Sequence, residues 1–203
     1  MCCRYYIEET TEMQEIVSDM MRSSLVRKWN ELYPVKTYGE MSPTDIVPVI
    51  ASNRNRQRAV FPMKWGFTGR TLLMNARVET AAVKPTFRDS WKSCRCIVPA
   101  SYYFEWEHLI GNNGKTKTGD KYAIQPIGAN VTWLAGLYRI EEGYMGFKYP
   151  AFTILTKTAS PALQKIHDRM PVMISEADIN TWIQPGQMPK GIRAVTDVVA
   201  EKV

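Results

Sequence analysis

Residues 97–106 read IVPASYYFEW, and this stretch decides the fold more than any other part of the chain. Aromatic and β-branched side chains are enriched in strands, so the stretch predicts extended backbone. Runs of the same kind follow at residues 122–127, 131–140 and 151–156, with turn-forming glycines such as Gly128 and Gly143 between them. Short turns between successive strands predict antiparallel pairing.

Helices are predicted around this β-rich region. Thr11 and Gln14 have the spacing of a capping box, and apolar residues follow at helical intervals from Met13 to Leu25, with Trp29 and Leu32 extending the stripe. Further strands are expected at residues 46–51, 58–61 and 172–174, and further helices at residues 87–93, 161–166 and 175–183. The sequence therefore predicts one α+β domain, residues 1–203, with a β-rich, mainly antiparallel, barrel-like core flanked by helices.

Composition places the chain among ordinary globular proteins, with 45% hydrophobic and 23% charged residues in 203. No run approaches the roughly 18 apolar residues of a membrane-spanning helix, and the first residues lack the pattern of a signal peptide. We therefore expect no membrane association and a cytoplasmic location. The spacing of Cys2, Cys3, Cys94 and Cys96 fits neither a common zinc motif nor a secreted disulfide framework. A zinc site remains an alternative only if the two pairs meet in space.

The charge balance favours a nucleic-acid partner. Lys plus Arg number 26 and Asp plus Glu 20, giving a net charge of +6 and a pI near 9.1. Arg54, Arg56 and Arg58 alternate, so an extended strand would place them on one face, where they could follow phosphates. A polar loop after Asn53 is an equally good interpretation.

Cys2 gives the chain a specific chemical possibility. Removal of Met1 would leave a free α-amine and a thiol on neighbouring carbons. Their reference pKa values of ~7.7 to 8.0 and ~8.5 make the pair nucleophilic near neutrality. The amine can form an imine with an aldehyde, and the thiol can then close a thiazolidine on the same carbon.

Three other segments hold polar groups where catalysis or binding could use them. Asn75, Arg77 and Glu79 would share one side of an extended segment, where an amide can orient an amine and an arginine can bind a phosphate. Glu105 lies among aromatics, and burial there would raise its pKa, although strand alternation could instead point it to water. His167 is a better candidate for proton transfer than His108, which lies beside a glycine-rich loop.

Six blocks together resemble one known family, the SOS-response-associated peptidase (SRAP) family, which includes proteins that crosslink to abasic sites in single-stranded DNA. The blocks run in order along the chain: MCxRY at 1–5, NARxE at 75–79, PxFR at 85–88, RCIVPA at 95–100, FEW at 104–106 and IHDRMP at 166–171. Two features differ from the family pattern. Cys3 stands where Gly is common, and the segment after Gly66 is shorter, leaving Trp65 and Phe67 as possible stacking residues.

The resemblance implies a function and a site. Met1 would be removed autoproteolytically or by a host aminopeptidase, and Cys2 would capture the ring-opened aldehyde of an abasic deoxyribose as a thiazolidine, in a DNA damage (SOS) response. Strand-cleaving lyase activity is a further hypothesis. Asn75 would hold the Cys2 amine, Glu105 would shuttle protons, and His167 would assist proton transfer at the sugar. The phosphates would be bound by Arg4, Arg77, Arg88 and Arg169. The expected partner is abasic single-stranded DNA, near the nucleoid if the source is bacterial.

Two other functions remain open from the residues alone. A cysteine-dependent peptidase could use Cys2, Glu105 and His167. A non-catalytic nucleic-acid-binding module would need only the basic surface. No metal or cofactor is expected in any of these interpretations, and we expect a monomer.

Overall fold

The computed structural model describes residues 3–110, 116–186 and 191–203. The strands in this part of the chain are β1 Arg4–Ile7, β2 Gly39–Met41, β3 Ile46–Ser52, β4 Arg58–Trp65, β5 Asn75–Arg77, β6 Arg95–Ala100, β7 Tyr102–Ile110, β8 Thr116–Pro126, β9 Thr132–Glu142, β10 Lys148–Thr158, β11 Arg169–Pro171 and β12 Val198–Lys202. The helices are α1 Thr11–Met21, α2 Ser24–Asn30, α3 Val78–Ala81, α4 Arg88–Ser93 and α5 Ile179–Ile183, with 3₁₀ turns at Tyr144–Gly146 and Glu176–Asp178.

Five strands close into a barrel. Their order is β4, β3, β6, β9 and β10, and the ring closes because β10 pairs with both β9 and β4. The pair of β10 with β4 is parallel, and the other four pairs are antiparallel. All six residues of β6 are buried, since side chains fill a small barrel from within and α5 packs on its outside. The predicted α+β fold with a mainly antiparallel, barrel-like core is confirmed.

A second, fully antiparallel sheet has the order β12-β8-β7-β1-β2. It joins the barrel at Ser101, the single residue between β6 and β7. The Ser101 N–H donates to the carbonyl of Tyr6 at 2.8 Å, and its hydroxyl accepts the N–H of Glu8 at 2.9 Å. Strand β1 is thereby held beside β7, so the residues just after Cys2 lie next to the strand that carries Glu105.

The first predicted helix is interrupted. Helix α1 ends at Met21 and α2 begins at Ser24, with Ser23 accepting the N–H of Leu25 at its start. The cap of α1 is Thr10, whose hydroxyl accepts the N–H of Met13, so the predicted capping box at Thr11 is wrong by one residue. None of the helices in the described ranges is long and apolar enough to cross a membrane.

The connection from β10 to β11 differs from the prediction. Residues 161–166 form successive turns in place of a helix, because the chain must reverse within these residues to bring β11 back against β10. The strand predicted at residues 172–174 is found earlier in the chain, at Arg169–Pro171. Met173 makes only isolated bridges, to Leu134 and Val195. Both differences come from long-range pairing with β10.

The alternating arginines do not share a strand face. The side-chain oxygen of Asn53 accepts the N–H groups of Asn55 and Gln57 at 2.9 and 3.0 Å, which folds Arg54 and Arg56 into a turn. Arg56 has φ of 60°, outside the extended region. The prediction of a strand is wrong here, and the polar-loop alternative is confirmed.

Candidate active site

Met1 and Cys2, on which the covalent chemistry depends, lie outside the described residues. Cys3 is half-buried, and its carbonyl accepts a hydrogen bond from Nη1 of Arg4 at 2.7 Å. Burial raises the pKa of the Cys3 thiol, and the negative charge of Glu105 raises it further. The antiparallel register in which Arg4 faces Phe104 places Cys3 beside Glu105.

Glu105 points into the protein. Its side chain is 3% exposed. Tyr103, two residues earlier, is 1% exposed and points the same way, because alternate residues of a strand share one face. One carboxylate oxygen, Oε1, accepts the N–H of Trp106 at 3.3 Å. Burial raises the pKa of Glu105, and the position of the side chain excludes the alternative in which it faces water.

Phe104, on the opposite face of β7, is covered by the chain itself. The ammonium group of Lys121 lies 3.6 Å from the centre of its ring, and Tyr6 packs against its edge. Lys121 also pairs with Glu40 at 2.9 Å, and Nε of Arg4 lies 3.2 Å from the same carboxylate. Arg4 is therefore near Glu105 along the sheet but is partly neutralised by Glu40.

His167 is also buried, at 6% exposure. Its Nδ1 accepts the N–H of Arg169 at 2.9 Å and lies 2.8 Å from Oδ1 of Asp168. These two contacts need different protonation states of Nδ1, because a lone pair accepts and a proton donates. Burial lowers the pKa of His167 to about 4. The ring is therefore neutral at pH 7, and the bond from Arg169 places its proton on Nε2.

His108 contacts His167, which the sequence did not indicate. The two ring centres are 4.1 Å apart, and the N–H of His108 donates to the carbonyl of Ile166 at 2.9 Å. The pairing of β7 with β8 shifts register between Trp106 and His108, and such a bulge redirects side chains. No sequence pattern marks a bulge, so the proximity of His108 could not be predicted from its neighbours in the chain.

The predicted Asn75, Arg77 and Glu79 segment changes structure at its end. Strand β5 runs parallel to β10, pairing Asn75 with Ile154 and Arg77 with Thr156, whereas Glu79 lies in α3. The expectation that all three share one side of an extended segment is wrong for Glu79. Asn75 is half-buried and Arg77 is exposed at the strand end.

Glu79 and Arg169 form a bidentate ion pair. The guanidinium nitrogens Nη1 and Nη2 donate to the two carboxylate oxygens at 2.7 and 2.8 Å, and Nη2 also donates to the carbonyl of Thr156 at 2.7 Å. The hydrogen bonds from Arg169 hold the pKa of Glu79 at about 2. Arg169 is thus bonded to Thr156, which is also the pairing partner of Arg77 between β10 and β5.

A series of neighbouring side chains includes three of the predicted site residues, Glu105, His167 and Arg169. The register of β1 with β7 places Cys3 beside Glu105, and Glu105 and His108 share β7. The rings of His108 and His167 are in contact, and His167 is bonded to Arg169, which pairs with Glu79. Arg88 stands apart: it begins α4, is 53% exposed and lies 3.7 Å from Asp89. Within the described ranges, no hydrogen bond or ion pair joins Arg88 to this series. We call Cys3, Glu105, His108 and His167 the acid–base cluster.

The predicted stacking residues are not available to a ligand. Trp65 and Phe67 are both 0% exposed, and Trp65 packs in parallel against Phe152 with ring centres 6.1 Å apart. The indole N–H of Trp65 donates to the carbonyl of Met74 at 3.0 Å. The suggestion that these two rings stack on bases is wrong, because both are buried in the hydrophobic core.

Metal chemistry has no visible site in the described part of the chain, where no three His, Cys, Asp or Glu side chains converge. The zinc alternative involved Cys2 and so falls partly outside it. Cys94 and Cys96 are free thiols whose pKa values are raised by burial. The chemical capacity of the site is therefore a carboxyl of raised pKa beside Cys3, a neutral imidazole, and arginines nearby.

Comparison with known proteins gives the family of the chain. The sequence profile of the family described as SOS response associated peptidase (SRAP) matches residues 1–202. The abasic site processing protein YobE of Bacillus subtilis is 36% identical over 113 residues, covering 56% of this chain and 49% of that protein. The abasic site processing protein YedK of Escherichia coli is 29% identical over 160 residues, covering 74% of this chain and 66% of that protein. The chain thus spans about half the length of the Bacillus relatives that it matches.

Solved structures share the fold over the whole chain. A protein from Bordetella bronchiseptica has a TM-score of 0.73 at 21% identity, covering 100% of this chain and 99% of that one. A protein from Bacteroides thetaiotaomicron has a TM-score of 0.67, also at 21% identity, covering 100% of this chain and 92% of that one. Since the family profile covers the chain almost from end to end, the chain belongs to the SOS response associated peptidase (SRAP) family.

Proposed function

We propose that the chain is an abasic-site sensor that binds single-stranded DNA and captures the aldehyde of an opened abasic sugar through Cys2, after Met1 has been removed. Membership of the SRAP family supports this, as do curated relatives named abasic site processing proteins. The observation that carries the proposal is the buried Glu105 carboxyl next to Cys3, the residue that follows Cys2.

The covalent reaction needs two bond-forming steps. The Cys2 amine attacks the aldehyde carbon, a C–N bond forms, and the aldehyde oxygen leaves as water to give an imine. The thiol sulfur then adds to the imine carbon while the nitrogen takes up a proton. The product is a thiazolidine, and the net reaction releases one water.

Glu105 suits the proton transfers in these steps. The amine must lose protons as it attacks, and the departing oxygen must gain them, so a single group has to work in both directions. A carboxyl whose pKa is raised by burial exchanges protons near neutral pH more readily than an exposed one. Its place on β7 beside β1 supports action close to Cys2.

His167 and Asn75 complete the proposed machinery. A neutral imidazole with its proton on Nε2 can donate a hydrogen bond to a sugar oxygen, which would ease ring opening. Asn75, half-buried at the start of β5, would hold the Cys2 amine through its side-chain oxygen.

Arginines supply the proposed DNA contacts. Arg77 is exposed at the end of β5, and Arg88 is half-exposed on α4, so both can reach phosphates. The charges of Arg4 and Arg169 are already partly balanced by Glu40 and Glu79. We therefore assign the larger share of phosphate binding to Arg77 and Arg88, in a sequence-tolerant mode that weakens with salt. The chain would act as a monomer.

A strand-cleaving lyase activity is part of the proposal, because an imine at the abasic carbon makes the neighbouring C–H bond acidic. Thiazolidine closure would compete with cleavage by removing the imine. Removal of the Cys2 thiol alone, by Cys2→Ala, should leave an amine that forms an imine without trapping it. A cleaved strand from this variant is expected; its complete absence would remove the lyase part.

The covalent proposal is tested on a denaturing gel with a single strand that carries one abasic site. The protein without Met1 should give a shifted band that needs the lesion, and Cys2→Ala should give no stable band. Cys94→Ala is the matched control, since Cys94 is a half-buried thiol outside the acid–base cluster, and it should crosslink normally.

Two results would favour the rival functions. Turnover of a peptide without DNA, dependent on Cys2, would indicate a peptidase. Equal non-covalent binding by the parent protein and Cys2→Ala, with no adduct in either, would indicate a binding module.

A further inference from the structure

His167 can carry its single proton on either ring nitrogen, and the choice decides what the ring can do. We propose that Glu79 is a positioning residue for His167: its ion pair with Arg169 holds the main-chain N–H of Arg169 against Nδ1 and so keeps the proton on Nε2. The catalytic consequence rests on the proposed function, whereas the positioning itself can be measured without DNA.

Glu79 and Arg169 form an ion pair of fixed geometry. Both oxygens of Glu79 accept from the guanidinium of Arg169, at 2.7 and 2.8 Å. A bidentate pair fixes the plane of the guanidinium as well as its position. The side chain of Arg169 is only 10% exposed, so the pair is held within the structure on the arginine side.

The side chain and the main chain of Arg169 are both bonded to β10. Nη2 of Arg169 donates to the carbonyl of Thr156 at 2.7 Å, and Arg169 faces Thr158 in the pairing of β11 with β10. The side chain and the main chain of Arg169 are therefore both attached to the same short end of β10. The peptide bond that carries the Arg169 N–H is also held through its carbonyl, that of Asp168, which accepts the N–H of Ala159 at 2.9 Å. The guanidinium would add a second restraint from the side chain of Arg169.

Two groups compete for Nδ1 of His167. The N–H of Arg169 lies 2.9 Å from Nδ1, and Oδ1 of Asp168 lies 2.8 Å from the same atom. Only one hydrogen can lie in the plane of the ring at Nδ1. With the Arg169 N–H in place, Nδ1 must offer a lone pair; if that N–H moves, a proton on Nδ1 can bond to Asp168 instead.

The outcome of this competition matters for the sugar chemistry. With the proton on Nε2, the far side of the ring is a hydrogen-bond donor to an oxygen of the substrate. With the proton on Nδ1, Nε2 becomes an acceptor and that interaction is lost. Glu79 would therefore act on the reaction without touching the substrate.

Nitrogen NMR of His167 tests the positioning directly. In the parent protein at neutral pH, we expect the signal of a neutral ring protonated at Nε2. Glu79→Ala should move a measurable fraction of His167 to the Nδ1-protonated form, while Glu79→Gln, which can still accept from Arg169, should change it less. Asp89→Ala is the matched control, since it removes the carboxylate beside Arg88, and it should leave His167 unchanged.

A double variant provides a second test if Glu79→Ala folds poorly or gives an ambiguous NMR signal. Asp168→Asn added to Glu79→Gln weakens the competing acceptor, because an amide lacks the carboxylate charge and can donate to Nδ1. This addition should restore the Nε2-protonated form. An unchanged His167 signal in a folded Glu79→Ala variant, or in both Glu79 variants, would overturn the proposal.

Crosslinking rates show whether the positioning matters for function. The interaction lost is one hydrogen bond from Nε2 to an oxygen of the sugar, so we expect Glu79→Ala to crosslink about tenfold more slowly. If the parent protein forms no crosslink but the NMR change occurs, the proposed function fails and the positioning stands. If the parent crosslinks and Glu79→Ala shifts the tautomer without slowing, the catalytic part of the inference is wrong.

Discussion

Replacing Glu105 with Gln should make the protein more stable and less active at the same time. Gln has nearly the same volume, and its side-chain oxygen can still accept the Trp106 N–H that now lies 3.3 Å from Oε1. The carboxyl's ability to exchange a proton is the main property lost. Because Glu105 is 3% exposed, its charged form is held where water cannot stabilise it.

The expected loss of activity follows from the role of a general acid–base group. Such groups contribute typically ~10²- to 10⁴-fold to rates, so crosslinking by Glu105→Gln at pH 7 should fall by about a hundredfold or more. The rate is measured by quenching samples over time and separating crosslinked from free protein on a denaturing gel. A rate within about threefold of the parent would refute a proton-transfer role for Glu105.

The expected gain in stability depends on pH. The folded-state pKa of Glu105 lies above its ordinary value of 4.5, so the folded protein holds this proton more tightly than the unfolded chain does. Below pH 4.5 the carboxyl is neutral in both states, and Gln should have little effect. As pH rises from 4.5 to the raised pKa, the parent loses stability relative to Glu105→Gln, by about 1.4 kcal/mol for each unit of pKa difference.

Urea unfolding at several pH values measures this difference. The midpoint of Glu105→Gln should exceed that of the parent at pH 7, and the two should converge in acid. A parent that is more stable than the variant at pH 7 would contradict the claim that burial raises the pKa.

Three further predictions concern charge. Arg77→Ala should weaken binding to any single strand of DNA and reduce the magnitude of the slope of log affinity against log salt concentration by about 1. The control is Arg27→Ala, which removes an exposed arginine of α2 and should leave this slope unchanged. The pKa of His167 is lowered from 6.5 to about 4, so the free energy of unfolding should fall by roughly 3 kcal/mol as pH drops from 6.5 to 4. Urea unfolding at several pH values measures this loss, and His167→Gln should not show it. Above pH 4.5, Glu79→Gln should lower the free energy of unfolding by no more than about 1 kcal/mol, because the Glu79 side chain is 46% exposed. The difference between variant and parent in urea unfolding should disappear as pH drops towards 2, where protonation of Glu79 breaks its ion pair with Arg169.

The sequence predicted the β-rich core because its signals are local. Aromatic and β-branched runs mark β7, β8, β9 and β10, and the short turns between them indicate antiparallel neighbours. The parallel pairs of β10 with β4 and β5 escaped prediction, since they join residues more than 70 positions apart, as Asn75 and Ile154 are. No local pattern in either segment records such a partner.

The same distinction explains the site. Glu105 was a sound candidate because its aromatic neighbours predicted burial, although only its pairing with β1 shows that it lies near Cys3. Trp65 was misassigned because an aromatic ring suits a base or a core equally well in sequence. The contacts of His108 with His167 and of Glu79 with Arg169 could not be predicted from the sequence, since a bulge and the turn into α3 determine where these side chains point.

The most direct test of the central claim is the intact mass of the crosslinked species, with fragmentation to locate the attachment. We predict a mass equal to the protein without Met1 plus the oligonucleotide minus one water, with the DNA attached at Cys2 and resistant to borohydride because a thiazolidine has no imine to reduce. An adduct that retains Met1, or one attached to a lysine and fixed only by borohydride, would contradict capture by an N-terminal cysteine.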